Sequence, residues 1–171
     1  IFLPIKTINR NAVKKNINKI IEKSDSDFII FAENNYPYVV NDSHYLDMIK
    51  HIKKQQKIII GATREDDGKF FNSFLLLEKE SIQYFDKKFL VPFGEFLPFR
   101  RFLKFMENIS GTTDFEKGNI DRILVTKDDV KILPIICYEI IFDEIFRDVN
   151  KNQIDIIINI TNDSWFGNRI G

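Results

Sequence analysis

Val130-Lys131-Ile132-Leu133-Pro134-Ile135-Ile136-Cys137-Tyr138-Glu139 is the stretch on which the fold reading turns. Residues 130–136 form an apolar run of strand length that stops at a cysteine. A helix is predicted over about 139–149, followed by a second strand at 155–160 that enters Thr161-Asn162-Asp163-Ser164-Trp165-Phe166-Gly167. On the other side, 120–126 and 130–136 flank Lys127-Asp128-Asp129 as a hairpin. Strand, helix, strand with a hairpin alongside is the grammar of a mixed sheet covered by helices.

The opening of the chain has the same grammar. Val13, Ile17, Ile20 and Ile21 follow the spacing of an amphipathic helix over about 8–23. Residues 27–32, Asp-Phe-Ile-Ile-Phe-Ala, form a short continuous apolar run that reads as a strand buried on both faces. Asp42 or Ser43 caps a second helix to about residue 56, with Leu46, Ile49 and Ile52 inward. Residues 57–63 then form another buried strand. Asp66-Asp67-Gly68-Lys69 and a short turn near 79–81 separate 58–64, 70–77 and 82–85 into sequential antiparallel strands. Two prolines and a glycine make 90–98 a shaped loop, with a short helix at 100–109 and a polar loop at 110–119. The class is α/β, a layered sandwich.

Composition sets the outer limits. At 171 residues, 44% hydrophobic and 29% charged, the chain is long enough for one packed core and is not a disordered chain. Equal numbers of basic and acidic residues, 25 of each, argue against a nucleic-acid partner held through phosphates. No run approaches the roughly 18–20 apolar residues of a membrane-spanning helix. Residues 1–10 become polar too early for a signal peptide. A single cysteine, Cys137, makes no internal disulfide and no multi-thiolate metal site.

Ligands of α/β sheets gather beyond the carboxyl ends of strands. Glu33, Lys87 and Cys137 each follow a predicted strand and lie about 50 residues apart, so they meet only in space. Their chemistry is complementary. A carboxylate can take the thiol proton, the thiolate is a strong nucleophile, and an ammonium stabilises both the thiolate and the oxyanion of a tetrahedral intermediate. A cysteine at a helix start also gains from the helix dipole. The residues alone leave a structural role for each of them open.

The words around these residues carry more. Phe31-Ala32-Glu33-Asn34-Asn35-Tyr36-Pro37, Tyr84-Phe85-Asp86-Lys87-Lys88-Phe89-Leu90-Val91-Pro92-Phe93-Gly94-Glu95 and Ile136-Cys137-Tyr138-Glu139 closely resemble the nitrilase (carbon–nitrogen hydrolase) superfamily. Leu-Val-Pro-Phe-Gly-Glu-Phe-Leu-Pro-Phe, Cys-Tyr-Glu-Ile-Ile-Phe and Asn-Asp-Ser-Trp-Phe-Gly resemble its apolipoprotein N-acyltransferase branch. The resemblance spans about 27–167 and implies a nitrilase-like αββα sandwich with a mixed β-sheet. It implies Glu33 as general base, Lys87 as transition-state stabiliser and Cys137 as nucleophile, with Glu95, Tyr138 and Glu139 as supporting residues of the active site.

The implied reaction moves a fatty acyl chain from a phospholipid through a Cys137 thioester to the amine of a diacylglyceryl-cysteine lipoprotein, with no cofactor and no metal. In that branch the catalytic domain follows a multi-helix membrane region and lies on the periplasmic side of the bacterial inner membrane. This chain has no such region and reads as a partial domain over 1–171, truncated at both ends. Its first strand is absent or reduced to 1–5, and Ala32 stands where the branch usually has proline. A soluble amidase of the same superfamily and an inactive fragment that keeps the fold are the alternative readings.

Other features read as structure. His44 and His51 lack a third ligand nearby, and Lys50, Lys53, Lys54 and Lys57 read as a solvated face. Phe93, Phe96, Phe99, Phe102 and Phe105 recur every third residue, as core or as a lipid-facing lid.

Overall fold

A computed structural model of the protein describes residues 9–92, 95–96, 114–119, 123–147, 149 and 153–162. Helix α1 (Arg10–Lys23) starts behind Asn9, whose Oδ1 accepts the Ala12 N–H at 3.1 Å and sets the helix start two residues after the predicted one. It buries Ile17 and Ile21, whereas Ile20, counted in the apolar stripe, is half exposed. Strand β1 (Phe28–Ile30) runs parallel to β2 (Lys57–Asp66), which pairs antiparallel with β3 (Lys69–Glu78), and that with β4 (Ser81–Asp86). A second sheet contains β5 (Leu124–Val125), antiparallel to β6 (Lys131–Ile136), which is parallel to β7 (Ile156–Ile160).

The alternation of side chains along β2 and β3 produces the layers. Ile58, Ile60, Ala62, Leu75 and Leu77 face α1 and α2 (Asp42–Ile49), packing with Ile17, Ile21, Met48 and Ile52. Their neighbours Ile59, Phe74 and Leu76, with Phe85 of β4, face the other way. They meet Leu124, Ile132, Ile136, Ile158 and Ile160 from the second sheet. Leu133 and Ile135 on the far side of β6 pack on Ile145 of α3 (Glu144–Arg147), with Phe142 and Phe146 beside it. The order is therefore helix, sheet, sheet, helix, as the αββα expectation holds. The Lys57 ammonium, paired with Asp128 and lying 5.5 Å from the Phe28 ring centroid, ties the start of β2 to the β5–β6 turn.

Four local expectations change. Strand β1 is not buried on both faces: Ile29 is buried, but Ile30 is half exposed. Asn41, not Asp42 or Ser43, stands at the cap of α2, which ends at Ile49 rather than near residue 56. The Gln56 side chain explains the early stop. It accepts the Lys53 N–H and donates to the carbonyls of Ile21 and Ser24, fastening 50–56 to the end of α1 as a turn. His51 consequently lies beyond the helix and bonds Glu22 at 2.6 Å. Among the predicted basic face, Lys50 and Lys53 pair with Asp47 and Asp25, and Lys57 is buried. The single helix predicted at 139–149 is instead a 3-10 turn, Cys137–Ile141, an extended Phe142 and the short α3. The calls at 1–5, 100–109 and 163–167, with Phe93, Phe99, Phe102 and Phe105, lie outside the described residues.

Two predictions follow from the packing. A Cβ on Gly61 would sit 2.5 Å from Glu33 Cα and 2.6 Å from Asn34 N, so Gly61→Ala must push the β1 exit away from β2. Urea unfolding is expected to show a loss of about 1–3 kcal/mol. The second concerns Asp47, which binds Lys14 of α1 and Lys50. The hydrogen bond from Lys14 and then that from Lys50 hold its pKa at about 2, below the ordinary 3.8. A depressed folded-state pKa means stability that is present above the unfolded value and lost as pH falls through the folded one. Asp47→Asn is therefore expected to be less stable than wild type at pH 6, with the difference disappearing towards pH 2 in acid-unfolding curves.

Candidate functional site

Three chain exits bring Glu33, Lys87 and Glu95 into one buried cluster. Glu33 follows β1, where Phe31 N–H bonds Ile59 O at 2.8 Å and Gly61 N–H bonds Ala32 O at 3.2 Å, so the segment stays pinned to β2. The absence of a side chain on Gly61 permits that approach. Asn34 then turns with φ +48, a left-handed conformation that asparagine tolerates. Lys87 follows β4, its N–H bonded to Asn72 O on β3 at 2.9 Å. Glu95 is held by its own Oε2, which accepts the Val91 N–H at 2.9 Å, and by its carbonyl, which accepts the Phe115 N–H at 2.9 Å.

The Lys87 ammonium is 1% exposed and lies 2.9 Å from Glu95 Oε1 and 3.4 Å from Glu33 Oε1. Burial alone works against its charged form. The Glu95 and Glu33 carboxylates outweigh that, helped by the Glu95 hydrogen bond and by Cys137, and lift the Lys87 pKa above its ordinary value. The same two oxygens accept from one amide: Asn72 Nδ2 lies 2.8 Å from Glu33 Oε1 and 2.6 Å from Glu95 Oε1. Beside the cluster, Asp86 accepts from Arg64 through two nitrogens, at 3.1 and 2.7 Å, and from Ser73 Oγ at 2.5 Å. Arg64 lies over the rings of Phe71 and Tyr84, 4.7 and 4.2 Å from their centroids. Desolvation opposes its charge, but Asp86 and Asp66 raise its pKa further.

Cys137 stands at the end of β6 with φ +54, where a side chain is strained by about 1–3 kcal/mol. Its sulfur accepts a hydrogen bond from Thr161 Oγ1 at 3.3 Å, and its carbonyl accepts from Asn159 Nδ2 at 3.3 Å, both from the β7 side. The predicted benefit of a helix dipole does not apply, because the cysteine opens a five-residue 3-10 turn. Glu139 is fully buried. Its Oε1 accepts the N–H groups of Lys88 and Phe89 at 2.9 and 3.2 Å, and its Oε2 accepts that of Ile136 at 3.0 Å. One carboxylate thus fastens the cysteine turn to the chain leaving Lys87. Tyr138 points elsewhere: it is exposed and packs edge-on against Phe142, 5.3 Å between centroids.

Glu33, Lys87 and Glu95 come together, Cys137 is close enough to act electrostatically on Lys87, Glu139 braces them, and Tyr138 lies outside the cluster. Asn72, Thr161 and Asn159 were not singled out from the sequence. Asn72 carried a signal: an amide at an interior position of the apolar run 70–77 needs a buried partner. Among the described residues, no group of three or more His, Cys, Asp or Glu is arranged to hold a metal, and no helix is long and apolar enough to cross a membrane.

Comparison with known proteins agrees with this architecture. Apolipoprotein N-acyltransferases are 36% identical over 134 residues in Rickettsia typhi and 34% identical over 161 residues in Rhizobium rhizogenes. Those matches cover 74% and 85% of this chain, but only 27% and 30% of the relatives' lengths. A carbon–nitrogen hydrolase from Helicobacter pylori G27 has the same fold, with TM-score 0.63, 15% identity and coverage of 91% of this chain and 56% of that one. An amidase from Nesterenkonia sp. AN1, with the acetamide moiety of fluoroacetamide added covalently at its active-site cysteine, superposes with TM-score 0.63 at 11% identity, covering 90% of this chain and 60% of its own. The carbon–nitrogen hydrolase profile matches residues 5–171, and the chain belongs to that family.

Proposed function

We propose that this chain supplies the catalytic domain of an apolipoprotein N-acyltransferase and that Glu33, Lys87 and Cys137 carry its chemistry. What supports the reading most is the buried pairing of Lys87 with Glu33 and Glu95 in a chain whose relatives bear that name. The strained Cys137 backbone and the hydrogen bond from Thr161 suit a sulfur that must be presented and must carry charge.

In the first step Cys137 Sγ attacks the ester carbonyl carbon of a phospholipid while Glu33 takes the thiol proton. Lys87 faces the oxyanion as the C–O double bond opens. The ester C–O bond then breaks, Glu33 returns the proton to the departing oxygen, and a lysophospholipid leaves behind a thioester. In the second step the α-amino nitrogen of a diacylglyceryl-cysteine attacks the thioester carbon. An N–C bond forms, the C–S bond breaks, and the amine proton passes through Glu33 to the sulfur. The site faces the periplasm, where both lipid substrates are at hand, and membrane helices of the whole protein hold it at the bilayer.

Incubation with a phospholipid isotopically labelled in its acyl chain tests the first step. Mass spectrometry is expected to find one acyl group on the Cys137 peptide and one equivalent of lysophospholipid, with neither formed by Cys137→Ala. No adduct and no lysophospholipid would refute the reading. A chase with a diacylglyceryl-cysteine peptide is expected to convert the thioester to amide; release of free fatty acid to water in its place would make the enzyme a hydrolase.

A further inference from the structure

The Asn72 amide has a feature that the acyl-transfer scheme leaves unused. Glu33 Oε1 and Glu95 Oε1 both contact Nδ2, at 2.8 and 2.6 Å, and a carboxylate oxygen requires a donor there. Exchanging the amide's oxygen and nitrogen would set an acceptor against two acceptors, so the chemistry fixes its orientation. In this orientation Asn72 Oδ1 is buried and has no hydrogen-bond partner among the described residues. A buried acceptor left unpaired is costly, and an alanine or leucine on this strand would avoid it. The backbone of the same residue accepts the Lys87 N–H at 2.9 Å. Asn72, itself 1% exposed, therefore touches all three carriers of charge in the buried cluster.

We propose that Asn72 is a positioning residue that makes two carboxylates share one ammonium. Each of its two amide hydrogens goes to a different carboxylate, so Glu33 and Glu95 are drawn against Lys87 with their Oε1 atoms converging on the same nitrogen pair. Without that bridge Lys87 alone among the described residues contacts both carboxylates, and Glu33 is free to swing from the place where it meets the thiol proton. The orphaned Oδ1 is the cost of using an amide there. This inference rests on the reading of Glu33, Lys87 and Cys137 as the reacting trio, and not on the identity of the acyl donor.

The test uses an activated donor, the p-nitrophenyl ester of a fatty acid, and follows the acylation burst of the single cysteine. Burst amplitude counts folded, competent sites, and the burst rate constant reports how well they are positioned. Asn72→Ala and Asn72→Asp are expected to keep the amplitude and the ester concentration at half-maximal rate, while the rate constant falls about tenfold or more. Asn72→Asp, which keeps the shape but replaces the donor by an acceptor, is expected to be no better than Asn72→Ala. A purely structural role predicts the reverse order, and that order would overturn the proposal. So would wild-type rates in either variant, or loss of amplitude at an unchanged rate. No Cys137 adduct with this ester in the wild type would overturn the trio and the positioning role together. An adduct with the ester but none with phospholipid would overturn only the donor assignment, leaving the variant rates to decide on Asn72.

Discussion

A buried ammonium surrounded by carboxylates is the interaction on which the rest of this structure depends. Lys87 has given up nearly all contact with water, and an unpaired lysine in that position would lose its proton. Two carboxylates within 3.4 Å keep it charged, and they in turn need donors because one cation does not neutralise two anions. Asn72 and the Val91 N–H meet that need. Breaking one such buried partnership by removing one member typically costs about 3–5 kcal/mol, so the segments that carry these residues are bound to one another by electrostatics as well as by packing.

The two-sheet architecture serves this cluster. Strands β1 and β4 deliver Glu33 and Lys87 from the first sheet, and β6 delivers Cys137 from the second. The apolar layer between Phe74, Phe85, Ile132 and Ile136 fixes the distance between the sheets just behind the site. Glu139 then sets the fine register, because one carboxylate accepts N–H groups from both the Cys137 turn and the segment after Lys87. Arg64 and Ser73 brace Asp86, the residue immediately before Lys87, in the same manner. Strain at Cys137 is tolerated because the turn is held from both sides.

Much of this was legible in the sequence. Continuous apolar runs located β2 and β6, the Asp-Asp-Gly-Lys turn located the β2–β3 hairpin, and the residues at strand ends carried the chemistry. What escaped depends on side-chain contacts between distant segments. The second helix looked longer because Ile49 and Ile52 keep helical spacing, whereas Gln56 binds the carbonyls of Ile21 in α1 and Ser24 just beyond it, 35 and 32 residues away. The helix after Cys137 looked continuous because nothing in its local spacing records that Glu139 turns back to three backbone N–H groups. Asn72 read as one polar residue in a strand; its two carboxylate partners are 39 and 23 residues distant. Periodicity reports which face is buried, but not which buried polar groups will find each other.

The charge state of Lys87 is the central physical claim, and NMR of its side-chain carbon and nitrogen measures it directly. An ordinary lysine is half titrated at pH 10.5. With backbone amide signals showing the fold intact, Lys87 is expected to remain predominantly an ammonium at that pH. A neutral amine at or below pH 10.5 would contradict the account, because the two carboxylates would then not be offsetting its burial.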